Sequence, residues 1–150
     1  MRATAVAQPN IALIKYWGKR DRDLNLPAVG SLSVTLSSIG TRTTVDFDPA
    51  LDADRVYINA HEDESTSRRV KKCLDRFREN AGIAYKAVVT TENDFPTDAG
   101  LASSASGFAA LVAAADRALD LNLGADELVD IARTGSGSAP RSLYGGFVLL

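Results

Sequence analysis

The hydrophobic pattern of this chain changes its period part-way along, and that change limits the folds open to it. Leu32, Val34 and Leu36 alternate with Ser33 and Thr35, and Thr43, Val45 and Phe47 repeat the alternation. A period of two belongs to a strand with one face against a core. Between residues 65 and 80 the period lengthens. Val70, Cys73, Leu74 and Phe77 fall at i, i+3, i+4 and i+7, the apolar stripe of one helical face. Gly82 is a natural stop for that helix. Residues 3–8, 11–17, 55–59 and 84–91 add predicted strands, with Pro9 separating the first two. An alanine-rich helix to about residue 119 and a short one over 126–133 complete the pattern. Residues 18–28 read as a charged, turn-like connection, and His61 as part of a solvated loop beside Glu62, Asp63 and Glu64. Strands first and helices interleaved later predict an α+β fold, with helices on one face of a sheet.

The 150 residues suit one domain, and a chain of that size buries roughly 70% of its unfolded surface. A net charge of -2 argues against nucleic acid as a partner, because phosphate backbones select basic surfaces. No run approaches the ~18 apolar residues of a membrane span. Cys73 is the one cysteine, so neither an intrachain disulfide nor a cysteine-based zinc site is open to the chain. It sits on the apolar helical stripe and reads as inert core. Arg68, Arg69, Lys71 and Lys72 read as the wet side of the same helix. At the other end, Tyr144-Gly145-Gly146 is a turn leading into an apolar strand, which suggests that more chain normally follows.

Three segments point to chemistry. The first is Phe95-Pro96-Thr97-Asp98-Ala99-Gly100-Leu101-Ala102-Ser103-Ser104-Ala105-Ser106-Gly107, between a strand and a helix. Helix starts carry unpaired N–H groups and partial positive charge, and small residues let a phosphate approach them. Serine hydroxyls add donors or magnesium ligands. The run is no Walker A loop, which requires a Gly-Lys-Ser/Thr ending. On composition alone, close helix–sheet packing explains it as readily. The second segment is Gly135-Ser136-Gly137-Ser138-Ala139-Pro140-Arg141-Ser142. Arg141 offers a planar fork for a carboxylate or phosphate, and Pro140 suits a first helical position. Taken alone it reads as a flexible surface turn with a solvated arginine. The third is Asn10-Ile11-Ala12-Leu13-Ile14-Lys15-Tyr16-Trp17-Gly18-Lys19, where a lysine interrupts an apolar strand. Burying its ammonium is costly unless an anion meets it; the alternative is an edge strand with lysines in water.

Together these segments resemble the diphosphomevalonate decarboxylase family of the GHMP kinase superfamily. The likeness runs from Asn10-Ile11-Ala12 and Lys15-Tyr16-Trp17-Gly18-Lys19-Arg20-Asp21 through Leu24-Asn25-Leu26-Pro27 and Ser33-Val34-Thr35-Leu36. It continues through Gly100-Leu101-Ala102-Ser103-Ser104-Ala105 to the Gly135–Gly146 turn. The serine loop alone would mark the superfamily; the Lys-Tyr-Trp-Gly-Lys and Gly-Ser-Gly-Ser-Ala-x-Arg signatures are specific to the decarboxylase branch. The resemblance implies a two-layer GHMP-kinase N-terminal domain, ribosomal-protein-like with a βαβ unit, over residues 1–150. It implies ATP-dependent, Mg2+-assisted decarboxylation of mevalonate 5-diphosphate to isopentenyl diphosphate, with ADP, phosphate and carbon dioxide. The setting implied is the cytoplasm, with a homodimer when full length and no membrane or nucleic-acid partner. A kinase that stops after phosphorylation, or a non-catalytic nucleotide-binding module, are the alternatives.

Residue by residue, the resemblance implies that Gly100, Leu101, Ala102, Ser103, Ser104 and Ala105 line the ATP phosphates. Tyr16, Trp17, Gly18, Lys19 and Arg69 would hold the substrate, with Ser136, Gly137, Ser138, Ala139, Pro140 and Arg141 closing over it. Arg141 would meet its carboxylate, Lys15 the reacting phosphoryl group, and Asn10 would order the site. No residue is implied as a direct metal ligand. The catalytic aspartate of the family is expected beyond this chain, so the 150 residues alone are expected to be inactive and to expose apolar surface. Asp98, Ser106 and Pro140 depart from the family pattern; Ser106 is harmless if it points outward.

Overall fold

A computed structural model describes residues 1–15, 18–21, 25–95 and 103–150. The described chain is α+β, as its change of period predicts. A sheet of five strands runs in the order β1-β6-β9-β7-β8, from β1 (Arg2–Ala7), β6 (Thr41–Asp48), β9 (Lys86–Asn93), β7 (Arg55–Ile58) and β8 (His61–Glu62). β6 pairs antiparallel with β1 and β9, whereas β7 and β9 are parallel and are joined through the helix α1 (Glu64–Ala81). Parallel neighbours need such a crossover, because no tight turn can return the chain to the same end of the sheet.

The alternation in β6 decides which face of the sheet is covered. Val45 and Phe47 are fully buried, and in the ladder they oppose Val89 and Ala87 of β9, which are buried too. Against this face lie α1, α2 (Ser103–Leu119) and α3 (Ala125–Gly135), and their apolar residues join the same core. α1 begins with Asp63 accepting from the Thr66 N–H at 3.0 Å and ends at Gly82, whose φ of +65° is the left-handed C-terminal stop. Its buried stripe is Val70, Cys73, Leu74 and Phe77, as the spacing predicts, with Arg78 added. Arg78 stacks over the Phe47 ring and pairs with Asp54 (2.5 Å) and Asp75 (2.8 Å), fastening α1 to the sheet edge. α2 is buried on nearly every side, which explains its alanines: larger side chains would hold the sheet and the neighbouring helices apart. Ser106, expected to be harmless if it pointed outward, points inward; its hydroxyl meets that of Thr41 at 2.6 Å. The departure from alanine is therefore compensated by a buried hydrogen bond.

A second sheet, in the order β10-β5-β2, holds the ends of the motifs: β2 (Asn10–Ile14), β5 (Leu32–Thr35) and β10 (Phe147–Leu149). Two expectations are corrected here. The buried residues of the β5 region are Ser31 and Ser33, whereas Leu32 and Val34 are only half-buried. The alternation is real, but the face carrying Ser31, the hydrogen-bond partner of Arg141, is the buried one. Nor does Lys15 lie inside an apolar strand. β2 ends at Ile14 after a bulge between Ala12 and Ile14, and Lys15 is exposed beyond it. Ile11, Leu13, Ile14, Phe147 and Leu149 are large exposed hydrophobic residues on this sheet. Residues 18–28 are not simply a turn: β3 (Lys19–Asp21) and β4 (Leu26–Pro27) form a small hairpin. His61 is likewise a strand residue in β8, though exposed. No described helix is long and apolar enough to cross a membrane.

Candidate active site

The first turns of α2 open onto a cavity of about 710 Å³ between the β7–β9 edge of the sheet and the start of α1. Its floor is apolar, from Val56, Ile58, Val70, Val89, Phe108 and Leu111. Its rim is polar, from Asn59, His61, Glu62, Ser65, Ser103 and Ser104. An apolar floor under a few convergent polar groups suits a planar ring system with a charged tail. Ser103 and Ser104 stand where the helix leaves its N–H groups unpaired, so an anionic tail would be met there. The His61 ring is fixed at Nδ1 by the Asn59 carbonyl, 2.8 Å away. Ala105 is fully buried in the core, so its methyl does not line the cavity. Gly100, Leu101, Ala102 and Asp98 lie outside the described residues.

Beside this cavity is a buried polar network, built where the sequence taken alone reads as a flexible turn. Residues 136–142 are mostly buried, because the chain leaves α3 and enters a short 3-10 helix, Ala139–Leu143, with Pro140 in its first turn. Arg141 is only 6% exposed, so the expectation of a solvated arginine is overturned. Its Nε donates to Asn10 Oδ1 at 3.2 Å and its Nη1 to Ser31 Oγ at 2.8 Å. Asn10 in turn donates from Nδ2 to Ser142 Oγ at 2.7 Å and to the Ser138 carbonyl at 3.2 Å. A buried amide with all its donors and its acceptor used has one orientation, and through it the guanidinium has one too. The hydroxyls of Ser136 and Ser138 lie 3.1 Å apart, and that of Ser104 is 3.5 Å from Ser136. The network thus reaches the rim of the cavity.

Arg69 joins the two regions. It is exposed on α1, as the wet-face reading expects, but it is not simply solvated. Its guanidinium lies 5.2 Å from the centroid of the Phe108 ring, within cation–π range, and Nη1 is 3.4 Å from the Gly135 carbonyl. Phe108 lies so close to Gly135 that a Cβ added there would stand 2.1 Å from the ring. Only glycine lets α3 pass at that distance.

Of the remaining candidates, Lys15, Gly18 and Lys19 are exposed, and Tyr16 and Trp17 lie outside the described residues. Gly137 and Ser138 are half-buried, and Ala139 and Pro140 are buried in the turn. Residues that sequence reasoning missed are Ser31, which holds Arg141, and Phe108, which carries Arg69. Asn59, His61 and Glu62 at the cavity rim were missed as well. For Ser31 a signal existed, since it shares the period-two face of Ser33. For the others the partners are distant in sequence and no local pattern marks them. Ser33 Oγ is buried with no hydrogen-bond partner among the described residues.

Comparison with known proteins gives a consistent picture. Residues 7–150 match the family model described as diphosphomevalonate decarboxylase-like N-terminal domain. Diphosphomevalonate decarboxylase of Ganoderma lucidum is 46% identical over 98% of this chain and 40% of its own length. That of Aspergillus fumigatus is 50% identical over 98% of this chain and 40% of its own. Among solved structures, mevalonate diphosphate decarboxylase from Enterococcus faecalis superposes with a TM-score of 0.91 at 46% identity, covering 99% of this chain and 47% of that one. A related structure in complex with MVAPP, AMPPCP and magnesium matches equally well, at a TM-score of 0.91. The chain therefore spans about 40% of the length of the curated relatives it matches.

Proposed function

We propose that this chain, which belongs to the diphosphomevalonate decarboxylase-like family, is the N-terminal ATP- and substrate-binding domain of an enzyme that converts mevalonate 5-diphosphate to isopentenyl diphosphate. The observation that carries the reading is the Arg141–Asn10–Ser31 network lying beside a cavity at a helix N-terminus. It juxtaposes a fixed cation with an anion-favouring helix start, as a reaction between a nucleotide and a carboxylated alcohol requires.

The cavity fits ATP. The base has an apolar floor, and the phosphates fall at Ser103 and Ser104 with Gly100, Leu101, Ala102 and the backbone of Ala105. The hydroxyls of Ser103 and Ser104 are hard oxygen ligands that would suit Mg2+, which would offset phosphate charge. Arg141 holds the substrate carboxylate with the paired donors of its guanidinium. Asn10 holds Arg141, so the guanidinium positions the carboxylate without rearranging. Ser136, Gly137, Ser138, Ala139 and Pro140 form the turn over the substrate. Tyr16, Trp17, Gly18, Lys19 and Arg69 meet the diphosphate, and Lys15 the transferring phosphoryl group. The base for the tertiary hydroxyl comes from the part of the relatives' length that this chain does not span. Phosphorylation turns that hydroxyl into a leaving group, and the electrons of the departing carboxylate form the new double bond. The whole protein is read as a cytoplasmic homodimer; light scattering would test the pairing.

The test is ADP and carbon dioxide release from mevalonate 5-diphosphate, ATP and magnesium by the whole protein. Both products are expected in equal amounts. ADP alone would reduce the reading to a phosphotransferase, and neither product would overturn it.

A further inference from the structure

Asn25, at the turn of the β3–β4 hairpin, has a φ of +55°, a left-handed conformation that asparagine adopts more readily than most residues. Its amide reaches far along the chain: Nδ2 donates to the Arg133 carbonyl at 3.0 Å. That carbonyl is in the last turn of α3, among those a helix cannot satisfy internally. α3 ends at Gly135, where the serine turn leading to Arg141 begins. On the hairpin side, Lys19 faces Pro27 across the ladder, and the Ala28 N–H donates to the Gly18 carbonyl at 3.3 Å. One side-chain amide therefore ties the ribbon carrying Gly18 and Lys19 to the root of the turn carrying Ser136 and Arg141. Asn25 Oδ1 is buried without a partner among the described residues, so the bond from Nδ2 is what holds this amide.

We infer that Asn25 is a positioning residue, which sets the distance between the lysine hairpin and the serine turn without touching the substrate. This rests on the reading that Lys19 and Arg141 hold opposite ends of one substrate, its diphosphate and its carboxylate. The spacing between two charges at the ends of a single ligand governs whether both engage at once. None of the described cavity walls belongs to the hairpin, so nucleotide binding should not depend on this pin.

Two variants of the whole protein separate the hydrogen bond from the backbone. Asn25→Asp keeps the shape and the tolerance of positive φ but replaces the donor with an acceptor facing a carbonyl. Asn25→Gly keeps the backbone freedom and removes the side chain. In both, amide hydrogen exchange should quicken at Lys19 to Asp21 and at Ala28. KM for mevalonate 5-diphosphate should rise about tenfold, the effect of one lost hydrogen bond, while kcat and KM for ATP stay unchanged. Unaltered exchange, or a parallel change in kcat and in KM for ATP, would overturn the inference. Should the unmodified protein release no carbon dioxide, the functional reading fails separately, and exchange alone then decides whether Asn25 pins the hairpin.

Discussion

Substituting Gly135 by alanine tests the joint between the cavity and the serine turn most directly. The backbone would accept alanine, since Gly135 is not among the positive-φ residues and closes a helix. Helical preference alone would then favour the variant by up to about 1 kcal/mol. Against this, the new methyl would stand 2.1 Å from Phe108 Cδ1 and 2.4 Å from Cε1. Phe108 is buried at 3% exposure and sits in a helix packed on nearly every side, so the ring cannot simply swing to solvent. Overpacking of this kind costs about 1–3 kcal/mol. The net expectation is a loss of about 1–2 kcal/mol, or a Tm lowered by about 3–6 °C for a domain of this size. The strain has a direction as well, because Phe108 is part of the cavity floor and carries Arg69 on its face. Any movement that relieves the clash should therefore also weaken nucleotide binding. Urea denaturation with an unchanged slope, paired with titration calorimetry of ATP, measures both effects. Adding Phe108→Leu should recover part of the stability, because the branched chain vacates the space of the ring edge. A Gly135→Ala variant as stable as its parent, with undiminished ATP affinity, would refute the close packing and the coupling together.

Removing the Arg78 side chain as Arg78→Met should destabilise by about 1–3 kcal/mol, because the half-buried Asp54 would lose its ion pair and keep the Ala87 N–H; chemical denaturation would show it. Replacing Arg78 and Asp54 together by apolar residues should recover much of that loss. Burial pushes the Cys73 thiol up to about 11, so at pH 8 it should react with a thiol reagent far more slowly than in the denatured chain. Equal rates in native and denatured protein would contradict its burial. The Asp75 carboxyl is held below its ordinary value: burial works against this, but hydrogen bonds from Lys71 and Arg78 prevail. Asp63 is lowered by the Ser65 hydroxyl and the Thr66 N–H at the α1 cap. For a carboxyl depressed in the folded state, the stability is present above its unfolded pKa and disappears as pH falls through the folded one. The Tm should accordingly fall below about pH 4, and Asp75→Asn should flatten that part of the profile.

The parts of the fold legible in the sequence are those where one physical preference acts alone. In β6 and α1 the apolar residues have a single place to go, and the structure buries Val45, Phe47, Val70, Cys73, Leu74 and Phe77 as their spacing requires. Illegible were positions where a polar residue competes for the interior. At β5 the alternation is equally good in either register, and apolar content favours burying Leu32 and Val34. What reverses it is Arg141, 110 residues away, whose guanidinium needs the Ser31 hydroxyl. The burial of Arg141 was hidden for the same reason. Its run of glycine and serine looks like a surface turn until Asn10, 131 residues distant, is known to share its hydrogen bonds. Resemblance placed both residues at one site, whereas composition would have left them apart.

The two kinds of cation around the site are held differently, and the difference bears on the chemistry. Arg141 is buried and oriented before any ligand arrives, while Lys15 and Lys19 are exposed at the ends of short strands. An oriented guanidinium fixes the position of the group it binds and needs no rearrangement during the reaction. In the proposed reaction the carboxylate loses its charge as carbon dioxide leaves, so Arg141 would act by steadying it in place and not by stabilising developing charge. Asn10 and Ser31 serve that need by fixing the geometry of Arg141. Diphosphate, by contrast, keeps its charge throughout. An exposed lysine that orders on binding this spectator group, as proposed for Lys19, costs side-chain entropy in the ground state and the transition state alike, so it affects affinity more than rate. With Arg141 beside the leaving carboxylate and Lys19 beside the spectator diphosphate, as proposed, the rigid cation positions the reacting end of the substrate and the adjustable one contributes to affinity.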